Sequence, residues 1–313
     1  MIVLPAVLDV VVPVFGVIAL GYSVGRLRWL DSAAVRGLSL YAFNIAIPLL
    51  LFQSMSTVIL PDVVPWRYLL GYYGCALGFF VVCLWFGQRF SSYALGEAGV
   101  FAFGCSYGSF IPLGIPLVLT AFGDRATVPL FLMVAIQAPL FFPLMIALQE
   151  KAQHRSRRHA LGRSALKSVF ANQYLIGIAF GAGINLAGVS VPEPLSDIIN
   201  LVGRSAVPCA LFALGGALSY YQIGAALASA AVMVAVKNVL FPLVVWWVAA
   251  HWLALDPLWQ AVMVLMAALP VGINTYLFAE RYECAVTLGG SAVVLSTAVS
   301  IVTISLTLSM LSA

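Results

Sequence analysis

The sequence predicts an all-α integral membrane protein in which ten transmembrane helices form two inverted repeats of five. Of its 313 residues, 63% are hydrophobic and 8% are charged, with a mean hydropathy of +1.06, whereas about a quarter of the residues in a soluble domain are charged. Apolar runs of about 18 to 25 residues, the length that crosses a bilayer core of roughly 30 Å, recur along the chain. One long polar loop divides these runs into two sets of five.

Charges, prolines and glycines mark the ends of the predicted spans. No basic residue precedes the first apolar run, which carries Asp9 and is longer than the apolar core of a signal peptide, so we interpret it as the first span. The ten spans are predicted at about 4–24, 34–55, 66–87, 97–121, 126–148, 169–189, 196–218, 226–250, 258–280 and 286–310.

The polar loop after the fifth span is basic. Its sequence, QEKAQHRSRRHALGRSALKS, separates a first repeat at 1–148 from a second at 169–313, and the loop itself occupies 149–168. We interpret it as a solvated connector rather than a nucleic-acid or lipid-binding site. Because basic residues in short loops stay in the cytoplasm, the loop predicts that both termini lie outside. We expect a multi-pass protein of the plasma (bacterial inner) membrane.

An odd number of spans in each half requires the second half to enter the membrane from the opposite face, so that any repeat is inverted. Two pairs of short motifs support a repeat. PLLLF begins at Pro48 and PCALF at Pro208, 160 residues later, while PLGI begins at Pro112 and PVGI at Pro270, 158 residues later. The nearly equal offsets place each pair in corresponding spans.

Spans 4 and 9 are predicted to be broken near their middles. Gly108 and Pro112 interrupt span 4, and Pro270 and Gly272 interrupt span 9, since proline removes a helical donor and glycine adds backbone freedom. Such backbone is tolerated in a membrane only where protein or a watery cavity satisfies its polar groups. Paired broken spans in an inverted repeat indicate a transporter's binding site. Two proline-kinked packing helices are the alternative.

The polar residues near the breaks favour an anionic substrate. The half-helix after each break offers free N–H groups and the positive end of a helix dipole. No acidic residue lies as deep as the basic ones, so we expect an excess of positive charge in the core, which suits a carboxylate. The basic side chains could instead bind the free carbonyl groups of a broken helix. The candidate ligands at the breaks or near mid-depth are Ser109, Asn274, Asn44, Arg204 and Lys237, with Gln137 and Asn238 at similar depth.

Other classes of function find less support in the sequence. The five cysteines form no CxxC pair, and the three histidines lie in loops or at a span end, so we predict no catalytic residue, no metal site and no cofactor. A membrane-embedded enzyme and a passive channel remain alternatives. A proton-coupled carrier would normally have an intramembrane carboxylate or histidine, so the lack of one favours uniport or protonation of the substrate itself. A proton- or sodium-coupled symporter of another small metabolite is a further alternative.

Four motifs resemble the auxin efflux carrier family, which includes plant auxin carriers and bacterial carriers such as the malonate transporter. They are ALPVGINTYLFAERYE at 268–283, GIPL at 114–117, AVPCALFALGGAL at 206–218 and KNVLFPL at 237–243. The resemblance implies a fold related to sodium/proton antiporters and bile-acid symporters. It also implies a scaffold of spans 1, 2, 6 and 7, a moving transport domain made of the other spans, and a homodimer formed through the scaffold.

The sequence departs from the plant carriers at three places. Aligning GIPL puts Gly108 and Ser109 where plant relatives have proline and asparagine, span 3 lacks their embedded acid and lysine, and Asn172-Gln173 replaces an Asn-Pro pair. The departures favour a bacterial-type carrier for a small organic acid other than auxin. We therefore expect a secondary carrier, working by alternating access in the lipid bilayer, in which Ser109 and Asn274 hold the acid and Arg204 supplies charge.

Overall fold

The computed structural model describes residues 3–58, 65–153, 173–220, 224 and 226–311. These residues are almost entirely helical and contain no strand, although one isolated β-bridge joins two non-helical stretches. Most of the predicted basic loop, and Asn172, lie outside the described residues. The prediction of an all-α protein is confirmed.

A helix, or a pair of half-helices, occupies each region predicted as a span, and the helix numbers below follow the span numbers. Six of these stretches, α2, α3, α5, α7, α8 and α10, are long and apolar enough to cross a membrane. The chain is thus a multi-pass membrane protein. The bounds are α1 Val3–Arg26, α2 Ser32–Thr57, α3 Trp66–Phe90, α4a Leu95–Ser106, α4b Phe110–Phe122, α5 Thr127–Ala152, α6 Gln173–Leu186, α7 Glu193–Leu218, α8 Leu227–Leu253, α9a Pro257–Ala267, α9b Asn274–Arg281 and α10 Val286–Leu311.

A π turn precedes a proline in three of these helices, α2, α4b and α8. The turns span 42–46, 110–114 and 236–240, and each proline is the second residue after the turn, at Pro48, Pro116 and Pro242. In each case the residue before the proline donates to a carbonyl five residues back. A proline ring clashes with the carbonyl four residues earlier, and the wider turn accommodates it.

Glycines bring four of the helices into backbone contact. A Cβ atom added at Gly21 of α1 would lie 2.1 Å from the carbonyl oxygen of Phe212 in α7. Gly21 and Gly25 form a GxxxG motif, which lets two membrane helices approach closely. A second such motif joins α6 to α2, where a Cβ atom on Gly177 would lie 2.5 Å from the carbonyl oxygen of Pro48. Since α2 also packs on α7, we call α1, α2, α6 and α7 the frame.

The remaining helices surround the most deeply buried part of the chain. Residues 98–110 and 261–272 are buried without exception, so α4a and most of α9a have no lipid-facing side. Helix α3 packs on α4a, while α10 packs on α8 and α9b. The two breaks are therefore enclosed by protein, as irregular backbone in a membrane requires.

Candidate functional site

The two broken spans meet at their breaks, which are residues 107–109 in α4 and 268–273 in α9. We call the two breaks together the crossing. The Ser109 N–H donates to the Pro270 carbonyl at 3.0 Å, and the Gly272 N–H donates to the Tyr107 carbonyl at 2.9 Å. An antiparallel bridge is centred on Gly108. Backbone groups that no helix could satisfy thus satisfy one another across the crossing.

Pro112 lies outside the break that it was predicted to help form. It is the third residue of α4b and belongs to the π turn at 110–114. The first four N–H groups of a helix have no intrahelical partner, so a proline here removes no hydrogen bond. The non-helical part of α4 is therefore shorter and begins earlier than the interval from Gly108 to Pro112.

Polar side chains from α5 and α10 bind the backbone of the crossing. Gln137 of α5 donates to the Gly108 carbonyl at 3.1 Å. Ser296 of α10 accepts from the Val271 N–H at 2.8 Å and donates to the Asn238 amide oxygen at 2.6 Å. All three side chains are at least 97% buried. A side chain of α5 thus binds the backbone of the break in α4, and a side chain of α10 binds the backbone of the break in α9.

Lys237 binds the other free carbonyl groups of the break in α9. Its ammonium donates to the carbonyl oxygens of Ala267 and Leu269, both at 2.7 Å, and lies 4.9 Å from the centroid of the Phe241 ring. The side chain is fully buried. The structure therefore places this lysine on the backbone of a broken helix, the arrangement that the sequence left open as an alternative to substrate binding.

Asn274 and Tyr107 form a pair of donors across the crossing. Asn274 is the first residue of α9b, its side chain is partly buried, and its amide donates to the Tyr107 hydroxyl at 3.3 Å. The Tyr107 ring stacks on Phe103 with 4.5 Å between centroids, which fixes the ring. Because the hydroxyl oxygen accepts from Asn274, its own proton remains available to a further acceptor.

The structure brings most of the predicted site residues together, but not all. Arg204 and Asn44 lie in the frame, on α7 and α2, and both side chains are exposed. Next to Arg204, Ser205 shares a hydrogen bond of 2.6 Å with Tyr41 of α2. The residues that meet at the crossing are Gly108, Ser109, Pro270, Gly272, Asn274 and Lys237, with Pro112 in the adjoining turn.

Two residues of the crossing were absent from the predicted site, Tyr107 and Ser296. Tyr107 accepts a hydrogen bond from Asn274 across the crossing. Ser296 had one usable signal, because it follows Gln137 by 159 residues, close to the offsets of the repeated motifs. Within the described ranges no group of three or more His, Cys, Asp or Glu side chains could hold a metal ion.

Ser296→Ala is expected to lower the free energy of unfolding by about 1–3 kcal/mol, because it leaves the buried Val271 N–H without an acceptor. Thermal unfolding of the purified protein measures this. Ser305→Ala is the matched control on the same helix, since the Ser305 side chain is only partly buried and donates to the Ile301 carbonyl of its own helix. Equal stability of the two variants would contradict the capping role.

Comparison with known proteins identifies the family to which the chain belongs. A family model described as "Membrane transport protein" matches residues 6–308. The chain therefore belongs to this family of membrane transporters, and its resemblance to the auxin efflux carriers is confirmed. It is also similar to a protein of Rhizobium meliloti (strain 1021) named "Putative malonate transporter", with 26% identity over 297 residues, covering 94% of this chain and 92% of the relative.

Proposed function

We propose that the protein is a secondary transporter that carries a small organic anion, a carboxylate, across the membrane by alternating access. The donor pair of Tyr107 and Asn274 at the crossing carries this proposal. Because the chain belongs to a family of membrane transporters, transport rather than enzymatic chemistry is the function to test. The name of its Rhizobium relative suggests malonate as the first substrate to try.

A carboxylate fits the groups that converge at the crossing. One oxygen would accept from the Tyr107 hydroxyl and from the second N–H of the Asn274 amide, since charged acceptors form the stronger hydrogen bonds. Asn274 also lies at the positive end of α9b. Arg204 and Asn44 would contribute charge and a further amide from the frame, and Ser109 adjoins the same backbone. The substrate would thus bind between the frame and the broken helices.

We also propose the ten-span inverted repeat. Two features recur in the same role at similar offsets. The GxxxG motif of Gly21 in α1 recurs 156 residues later at Gly177 in α6, and each binds a frame helix of the other half. The cap supplied by Gln137 in α5 recurs 159 residues later at Ser296 in α10. These matches in function, added to the proline offsets of 158 and 160 residues, support two halves built alike.

The proposed cycle moves the broken helices against the frame. The helices of the frame are joined by close backbone contacts at glycines, whereas the crossing lies among the other helices. We propose that a homodimer forms through the frame in the bacterial inner membrane, with both chain termini outside. Movement of one group of helices past the other would expose the crossing to each side in turn.

The proposal is tested by reconstituting the protein in liposomes and measuring counterflow of labelled malonate. With a carrier, uptake of labelled malonate is saturable and is accelerated by unlabelled substrate on the opposite side of the membrane. Other short carboxylates should compete with malonate for uptake. Conduction without saturation would indicate a channel instead. If neither malonate nor another small carboxylate exchanges or stabilises the protein, the anion proposal fails.

Asn274→Ala is expected to slow malonate counterflow about 10-fold or more, because a lost hydrogen bond to a charged group costs about 1.5–3 kcal/mol. Asn200→Ala is the matched control, since Asn200 of α7 bonds to Ser196 within its own helix. Tyr107→Phe, which keeps the stacked ring and removes only the hydroxyl, should act in the same direction. Uptake at the wild-type rate in both site variants would contradict the assigned ligands.

A further inference from the structure

The carbonyl groups that end α9a are bound by a positive charge belonging to the protein itself. The last carbonyls of a helix lack intrahelical donors and form the negative end of its dipole. In secondary transporters with broken helices, carbonyl groups of this kind coordinate the coupling cation. Here the Lys237 ammonium lies 2.7 Å from the carbonyl oxygens of both Ala267 and Leu269. It thus occupies the position that a coordinated cation would take.

The other surroundings of this ammonium leave its charge unneutralised. Its third side is closed by the Phe241 ring, 4.9 Å away at the centroid. A Cβ atom on Gly108 would lie 3.6 Å from the nitrogen, so the backbone of the other break is also close. Among the described residues the partners of Lys237 are carbonyl groups and an aromatic face rather than a carboxylate. The Lys237 nitrogen therefore lies close to the backbone of both breaks.

The lysine is held in place by the turn that carries it. Asn238, the next residue in the π turn at 236–240, donates to the Ser296 carbonyl at 2.9 Å and accepts from the Ser296 hydroxyl at 2.6 Å. The turn itself accommodates Pro242, as described above. Helix α8 is therefore anchored to α10 beside the ammonium, which ties Lys237 to the same group of helices as the crossing.

We infer that Lys237 is a resident cation of the crossing and that the carrier, if it acts as proposed above, works without Na⁺ or another inorganic cation at this position. Removing the ammonium would leave the carbonyls of Ala267 and Leu269 facing an empty space of about the size of the lost side chain. That space would accept Na⁺, Li⁺ or a small alkylammonium ion. The lysine thus replaces a coupling ion by a covalently attached charge.

The test uses the purified full-length protein and the Lys237→Ala variant. Each is titrated with NaCl, LiCl or ethylammonium chloride against N-methyl-D-glucamine chloride at constant ionic strength, and the thermal unfolding midpoint is measured. The wild-type midpoint should change by less than about 1 °C between the cations. Lys237→Ala should unfold at a lower temperature and regain about 3 °C or more, with saturation, in at least one of the added cations.

Lys151→Ala, which removes a charged group at the exposed end of α5, is the matched control and should behave like the wild type. A folded Lys237→Ala variant that no cation stabilises specifically would overturn the inference, and so would saturable stabilisation of the wild type by Na⁺. If Lys237→Ala does not fold, the Lys237→Gln variant is titrated in its place. Saturable stabilisation of the wild type by Na⁺ would still overturn the inference.

A transport measurement separates this inference from the proposed function. Wild-type malonate counterflow should proceed at equal rates in Na⁺ and in N-methyl-D-glucamine. A dependence on Na⁺ of tenfold or more would overturn the resident cation while leaving the carrier proposal intact. Absence of any anion exchange would instead refute the carrier proposal, and the unfolding midpoints would still report on the cation.

Discussion

Gly215→Ala is expected to lower the free energy of unfolding by about 3 kcal/mol or more, although alanine has a higher helix propensity than glycine. A Cβ atom at this position of α7 would lie 1.9 Å from the carbonyl oxygen of Ile18 and 2.8 Å from the amide nitrogen of Tyr22. Both atoms belong to the backbone of α1, so no change of rotamer relieves the clash. The helices must separate, and the packing along the whole contact is weakened.

The measurement is thermal unfolding in one detergent, with Gly16→Ala as the matched control. Gly16 lies in α1, and a Cβ atom there would meet no atom within 4 Å. The same substitution should therefore be neutral or stabilise by up to about 1 kcal/mol. We therefore expect Gly215→Ala to lower the free energy of unfolding and Gly16→Ala to leave it unchanged or raise it. A Gly215→Ala variant as stable as the wild type would mean that α1 and α7 are farther apart than described.

Gly272→Ala is expected to reduce malonate counterflow at least about 10-fold while most of the protein stays folded. The added Cβ atom would lie 2.6 Å from Cδ1 of the Tyr107 ring and 3.1 Å from the Gly108 carbonyl oxygen. The ring cannot easily move aside, because it is stacked on Phe103. Either the phenol shifts away from Asn274 or the two breaks separate, and both changes disturb the proposed ligands.

Counterflow and thermal unfolding should be measured on the same preparations of this variant. Gly74→Ala in α3 is the control, since a Cβ atom there would meet nothing within 4 Å, and its uptake should equal that of the wild type. Undiminished uptake by a folded Gly272→Ala variant would show that the close approach at Gly272 is not needed for transport.

The existence of the crossing could be predicted because its causes are local in sequence. Pro270 and Gly272 weaken a helix wherever it lies, and a break buried in a membrane must be satisfied by other protein groups. The need of Lys237 for a partner could also be predicted, because a charge deep in the membrane must be compensated. Which carbonyls it binds could not, since that depends on how α8 packs against the end of α9a.

The role of Ser296 shows the limit of such reasoning. Its neighbours in α10 are also hydroxyl residues, and Thr297 and Ser300 donate to carbonyls of their own helix, the usual behaviour of such side chains. Nothing local separates Ser296 from them. Its rotation toward the break in α9 follows only from the packing of α10. Tyr107 was missed for a similar reason, since its partner Asn274 is 167 residues away.

The glycine contacts of the frame also govern when the protein can fold. Helix α1 fits against α7, and α2 against α6 and α7, so each close contact joins a part of the chain made early to one made late. The first five spans, on leaving the ribosome, expose glycine faces whose partners have not yet been synthesised. Contacts so distant in sequence form slowly. The early and late parts of the chain must therefore mature together, as one interleaved folding unit.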